Sequence, residues 1–351
     1  MKTIFFCGHQ SPYGLAHLEP LLKSKFTIIA VVLASDKRWK IFREKLVGRR
    51  FIPISNSSRT FPKIKSLLKY FLRSLLSFQN NKAKEFQKTL DLVQSYKIPV
   101  WLSDDVNESG FLAKAINAKA EIFVSAAYPQ IFSKELLSIP ANGSINFHPS
   151  LLPKFRGAHP HYWAIAKGET ISGITAHYMT ERIDDGDIIA QRSFPIQELT
   201  YKQLYEKILN ETPLLVKQVE SFLLDKQGKL IKQEPLQASY FRNDREIHHR
   251  IFWNIQSTQD IHNLIRAGYA FCSFRNHRLG LQTSSVSAEN RNLTNDILVE
   301  NGTIIDICQN YIAIKTSNGI VHISVFDIFG KSMSALDFII EFKPFIGEKL
   351  E

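Results

Sequence analysis

The sequence predicts an α/β protein: an open, mostly parallel sheet with helices on both faces, followed by a small, mainly β C-terminal domain. Three observations predict it. The chain opens strand, helix, strand; further β-rich apolar runs then alternate with helix-like stretches; and from about Leu236 the texture changes to short β-prone runs punctuated by Asn-Gly pairs.

In chain order, "TIFFCG" (3–8) reads as a buried strand, "GLAHLEPLLKS" (14–24) as a helix with apolar residues three and four apart, and "FTIIAVVLA" (26–34) as a second strand. "EIFVSAAY" (121–128), "GSINFH" (143–148), "SGITAHYMT" (172–180) and "DIIAQRSFPI" (187–196) are the later strands. Such alternation gives a Rossmann-like sheet whose ligands bind beyond the carboxyl ends of its strands. The turn after the first strand, "CGHQSPYG", lacks GxGxxG, so a dinucleotide site is not supported. A long helix is predicted over 201–225 and an exit linker over 227–235. Beyond it "DILVE", "TIIDIC", "YIAIKTS" and "IVHISVFDI", with Asn-Gly at 301–302 and 318–319, predict hairpins in an OB-like barrel. The expected domains are therefore 1–200, a helix and linker over 201–235, and 236–351.

Composition sets the class. With 351 residues and 44% hydrophobic content the chain can bury at least one large core. Its apolar runs are too short to cross a bilayer and no leader pattern opens it, so the expected compartment is the cytoplasm. Cys7, Cys272 and Cys308 are odd in number and scattered, which supports neither a disulfide framework nor a zinc site. The net charge of +11 is local: residues 37–88 carry 15 Lys/Arg against only Glu44 and Glu85. Within this block, 63–78 reads as an amphipathic helix with Lys65, Lys69 and Arg73 repeating every four residues. A basic stripe of this kind fits phosphates or an anionic surface; a solvated face is the alternative.

The chemistry concentrates in "INFHPSLLPKFRGAHPHYW" (145–163). Residues two apart on a strand share a face, so Asn146 and His148 project together at a strand end. Pro149 keeps His148 extended, and Pro153 stiffens the loop carrying Ser150, Arg156 and Gly157. A carboxamide suits a developing oxyanion and an imidazole suits proton transfer, so acyl transfer is the natural class. A carboxylate should orient the imidazole; Asp184, Asp185 and Asp187 around Gly186 are the candidates, and spacing leaves the choice open. His177 reads as structural, and His159 and His161 sit on the loop facing the expected acceptor.

"NFHPSLLPKFRGAHP" with "GETISGITAHYMTERIDDGDIIAQ" resembles the 10-formyltetrahydrofolate-dependent formyltransferases, among them the methionyl-tRNA and sugar-amine enzymes. The resemblance is specific over 121–196 and looser elsewhere; "YFRNDREIHHRIFWNIQSTQDIHNLIRA" and "GKSMSALDF" look like the C-terminal domain of the tRNA enzymes. It implies a catalytic trio of Asn146, His148 and Asp184, with 10-formyltetrahydrofolate as co-substrate and no metal. It also implies a pterin near 124–132 and the 180–188 loop, hence Ala126, Ala127, Tyr128, Ile131, Ile183 and Asp185 as folate contacts, although Val124 and Ile131 are read as core.

Ser150, Arg156, Gly157 and His159, with Lys65, Lys69 and Arg73, are the expected acceptor contacts. The methionyl amino group of charged initiator tRNA is the favoured acceptor, reached through the basic segment 37–88, with a place in protein biosynthesis and one-carbon metabolism. Residues 237–351, however, hold 11 Lys/Arg against 12 Asp/Glu, and "RGAHPHYW" is closer to the amino-sugar enzymes. A nucleotide-linked amino sugar is thus the alternative acceptor. A formyl-removing hydrolase using the same trio, and a catalytically silent RNA- or membrane-binding relative, are the other readings.

Overall fold

The computed structural model describes residues 1–8, 11–34, 87–224, 228–242, 246–286 and 299–351. The basic stripe of Lys65, Lys69 and Arg73, and most of "DILVE", lie outside them. By contacts the chain groups into two compact units: Met1–Arg156, Gly173–Ser193 and Lys207–Tyr240 form the first; Gly157–Ser172, Phe194–Glu206 and Phe241–Glu351 form the second.

The first unit carries a seven-stranded sheet of β1 (Lys2–Gly8), β2 (Thr27–Ala34), β3 (Val100–Ser103), β4 (Ile122–Ala126), β5 (Ser144–His148), β6 (Ile171–Tyr178) and β7 (Ile188–Pro195). Their order is β3-β2-β1-β4-β5-β6-β7. β1, β2, β3, β4 and β5 pair in parallel, and β5 and β6 are antiparallel. β1, β2 and β4 are almost continuously buried, as central parallel strands covered on both faces must be. Phe6 of β1 sits at the centre, its ring 4.8 Å from Phe132 and 5.2 Å from Phe123. Truncating such a ring costs about 3–5 kcal/mol.

The helix Pro12–Leu22 starts where Ser11 accepts from the Gly14 N–H and Pro12 takes a first-turn position that needs no donor; Leu18 and Leu21 are its buried face. Because the chain winds outward from β1 to β3 and then returns to place β4 on the other side of β1, the strand order reverses there. That is the topological switch point at which open α/β sheets bind ligands.

The second unit holds a six-stranded antiparallel sheet. Two of its hairpins turn on Arg275-Asn276 and Phe329-Gly330, all four residues at positive φ. The expected Asn318-Gly319 hairpin turns instead on Ser317-Asn318, with Gly319 already paired to Thr316. Helix Thr258–Arg266 opens with a Ser257/Asp260 capping box, and Phe338 of helix Ala335–Phe342 stacks on Phe326 at 4.4 Å. Among the described residues, no helix is long and apolar enough to cross a membrane.

Candidate active site

β5 ends in Asn146, Phe147 and His148. Phe147 is buried 4.4 Å from the His17 ring, which fixes the register: a one-residue slip would exchange the faces of Phe147 and the polar pair. Directly opposite on β6, His177 pairs with Asn146 and Thr175 with His148, so His177 joins the same face. Thr175 donates to the Ser150 carbonyl and accepts from the Leu152 N–H, tying down the loop beyond His148.

Asp184 follows in the loop between β6 and β7, at a left-handed φ of 51°. Its Oδ2 lies 3.5 Å from His148 Nδ1, and its Oδ1 lies 3.4 Å from both His177 Nε2 and Asn146 Nδ2. Three side chains from two strands thus converge on one carboxylate that is only 10% exposed.

The other face of the His148 ring is also occupied: Nε2 stands 2.8 Å from the Phe155 carbonyl oxygen. Both ring nitrogens therefore meet acceptors. The neutral imidazole can donate to one of them, whereas the cation satisfies both. Burial pushes the His148 pKa below its usual range, against the opposing pull of Asp184 and the Phe155 carbonyl. The result is an imidazole that rests neutral yet has a cradle ready for the cation. His177 is bound at Nδ1 to the Tyr178 carbonyl (2.8 Å), which leaves Nε2 to accept from Asn146 Nδ2 at 3.3 Å.

A collar of hydrogen bonds surrounds the aspartate loop. Asp185 pairs closely with Arg156 Nη1 and more loosely with Arg182 at 3.7 Å. Gln233 bonds to Arg156 and to the carbonyls of Asp184 and Gly186. A pocket of about 420 Å³ opens on this collar, lined by Arg156, Arg182, Ile183, Asp185, Ser239 and Tyr240 among others.

Residues 76–219 match the family described as "Formyl transferase" and residues 246–343 the one described as "Formyl transferase, C-terminal domain". The methionyl-tRNA formyltransferase of Geobacillus sp. (strain WCH70) is 34% identical over 233 residues, 64% of this chain and 70% of that protein. The chain belongs to the formyltransferase family. The bifunctional polymyxin resistance protein ArnA of Wigglesworthia glossinidia brevipalpis is 36% identical over 173 residues, 49% of this chain. The match spans only 26% of ArnA's length. The crystal structure of an N-formyltransferase from Helicobacter canadensis, in complex with folinic acid and dTDP-3-aminofucose, shares the fold: TM-score 0.60 at 21% identity, over 92% of this chain and 98% of that one.

The residues expected from the sequence of this formyltransferase-family chain fall into distinct places. Asn146, His148 and Asp184 come together; of the three candidate carboxylates, Asp184 is the one beside the imidazole, while Asp185 faces arginines. Ala126 and Ala127 lie at the end of β4, whose Ser125 and Ala126 are in register with Asn146 and Phe147. Tyr128 packs edge-on against Phe6 at 5.5 Å. Ile183 and Asp185 line the pocket together with Arg156. Gly157 and His159 belong to the second unit, both at positive φ.

Three readings need correction, while His177, read as structural, is buried and touches both Asp184 and Asn146. Ile131, expected in the core, is 59% exposed, because it lies beyond the strand in an irregular turn; Val124 is core as expected. His161 does not face outward: it is buried and bonded to the Tyr201 hydroxyl at 2.7 Å. Ser150 is fully buried, with its hydroxyl spent on the Lys154 carbonyl, so its side chain closes the loop rather than presenting itself to a ligand.

Sequence reasoning missed Gln233 altogether. It sits in what reads as a plain linker, and nothing local to it announces a partner. His177 was visible as a residue, but its place opposite Asn146 depends on a strand register that no spacing shows.

Proposed function

We propose that this chain transfers the formyl group of 10-formyltetrahydrofolate to a primary amine, with the methionyl amino group of charged initiator tRNA as the favoured acceptor. The observation that carries the reading is the convergence of Asn146, His148 and His177 on Asp184. The neutral amine attacks the formyl carbon, forming a new C–N bond. Asn146, whose present contacts of 3.3 and 3.4 Å are long ones, turns its N–H towards the oxygen that becomes an oxyanion. His148, with Nε2 swung from the Phe155 carbonyl to the reacting centre, takes the proton the amine sheds and returns it to the folate nitrogen as the old C–N bond breaks. Asp184 holds the imidazolium through Nδ1 while it exists.

The tRNA acceptor is favoured by the name of the Geobacillus relative and by the basic segment 37–88. The Helicobacter canadensis structure, named with folinic acid and an amino-sugar nucleotide, supports the folate and also the second acceptor, a nucleotide-linked amino sugar. The test is incubation with 10-formyltetrahydrofolate and either charged initiator tRNA or a panel of nucleotide-linked amino sugars, read by mass spectrometry. A formyl mass gain on methionyl-tRNA supports the favoured reading, a gain on a sugar supports the second, and no gain on any amine overturns both.

A further inference from the structure

Gln233 makes every hydrogen bond a carboxamide can make. Its Nε2 donates to the Asp184 carbonyl (2.9 Å) and the Gly186 carbonyl (2.7 Å). Its Oε1 accepts from Arg156 Nε (3.0 Å) and Nη2 (2.7 Å). Two donors and two lone pairs are thus all used. The remaining guanidinium edge of Arg156 grips Asp185, which closes a ring of contacts around the peptide segment that carries the aspartate.

That segment needs an outside hold. Asp184 is in the left-handed region, which a non-glycine residue keeps only when its surroundings enforce it. Gly186 is pressed so close to β6 that a Cβ there would lie 2.0 Å from the Tyr178 carbonyl oxygen. The Asp184 and Gly186 carbonyls meet their donors in Gln233. The side chain is delivered in register: Ile231 and Ile188 exchange both backbone hydrogen bonds, at 2.8 and 3.0 Å, which sets Gln233 level with Gly186. A few residues on, Ser239 accepts from the Phe155 N–H and donates its own to the Pro153 carbonyl. The same stretch of chain therefore braces both acceptors that face His148.

We infer that Gln233 is a positioning residue: it holds the Asp184 loop through two backbone carbonyls and so keeps the carboxylate between Asn146, His148 and His177. The catalytic consequence rests on the formyl-transfer reading; the positioning itself does not. Gln233 touches no reacting atom. Its effect passes through the placement of Asp184, where a displacement of about 1 Å is enough to cost roughly 100-fold in rate.

The test uses the full chain with Gln233→Met, similar in length but without hydrogen bonds, and Gln233→Glu, which keeps the acceptor for Arg156 and loses the donor for the two carbonyls. Two quantities are read: kcat with the folate KM, and the titration of the His148 imidazole by NMR. Both variants are expected to lose about 10- to 100-fold in kcat with folate KM unchanged. The His148 titration should move to lower pH, because the carboxylate that opposes burial has shifted away. A His148 titration at the wild-type position in the folded variants overturns the inference, whatever happens to kcat or to Tm. Should the wild type formylate no amine, the functional reading fails while the titration still decides the positioning role. If Gln233→Met does not fold, the His148 titration of Gln233→Glu decides in the same way.

Discussion

The Nδ1 of His148 faces the Oδ2 of Asp184 at 3.5 Å, from a different strand end and across a loop that turns through the left-handed region. Neighbouring Asp185 points to Arg156 and Arg182 instead. Two adjacent carboxylates in one turn thus have different electrostatic partners. Asp184→Asn should leave the fold intact and lower turnover by about two to four orders of magnitude, as should His148→Ala. Asp185→Asn should do far less, since an amide oxygen still accepts from Arg156. Steady-state kinetics of the three variants check this, and equal damage from the two aspartate changes would mean that the wrong carboxylate has been chosen.

The basic stripe yields a prediction about the acceptor. Reversing Lys65, Lys69 and Arg73 to Glu should weaken tRNA binding and flatten its salt dependence, because each lost phosphate contact removes about 0.9 from the log–log slope on duplex nucleic acid. Folate binding should not change. A nucleotide-sugar acceptor is too small to engage three basic residues spaced four apart along the chain, so its KM should stay put. Unchanged tRNA affinity and slope would return the stripe to a solvated or membrane-facing role.

His17 links the fold to pH. It is wholly buried, bonded to the Tyr13 carbonyl at 2.7 Å, and burial lowers its pKa from 6.5 to about 3. The unfolded chain binds this proton and the folded chain does not. Its contribution is therefore complete above about pH 6.5 and is lost as pH falls towards about 3, at roughly 1.4 kcal/mol per pH unit within that window. His17→Asn, which retains a donor for Tyr13, should remove this part of the slope in urea denaturation midpoints measured from pH 7 to pH 4. A slope identical to that of the wild type would show that His17 is not the group responsible.

Two glycines separate backbone contact from open space. Gly186→Ala puts a Cβ 2.0 Å from the Tyr178 carbonyl oxygen, so the loop bearing Asp184 must move. The expected result is a stability loss of about 2–4 kcal/mol, as for other forced contacts in packed backbone, together with a fall in turnover. Gly110→Ala, near the start of helix Ser109–Ala118 with nothing within 4 Å of the new Cβ, should raise stability by about 0.4–1 kcal/mol. Thermal unfolding of the pair checks both signs.

Six of the seven strands of the first sheet and the polar strand end were legible because each follows from a local rule, whereas β3 went unread. The uninterrupted apolar runs of β1, β2 and β4 announce strands covered on both faces, and the two-residue alternation at 146–148 places Asn146 and His148 on one face. Both rules need only neighbours in the chain. The boundary of "FTIIAVVLA" moved by one residue and the Asn318 hairpin by one position, which is the scale at which pairing partners outvote local preference.

By itself, then, the sequence determined an open, mostly parallel α/β sheet, a β-rich C-terminal region, and an amide and an imidazole presented together at a strand end. Tertiary structure decided the rest. It set Asn146 opposite His177, brought Asp184 rather than Asp185 to His148, and carried Gln233 from a plain connector onto the aspartate loop. Periodicity along a chain records which face a side chain shares with its near neighbours, whereas antiparallel register, the exit direction of a left-handed turn and the path of a returning connector are set by contacts between residues that the sequence keeps far apart.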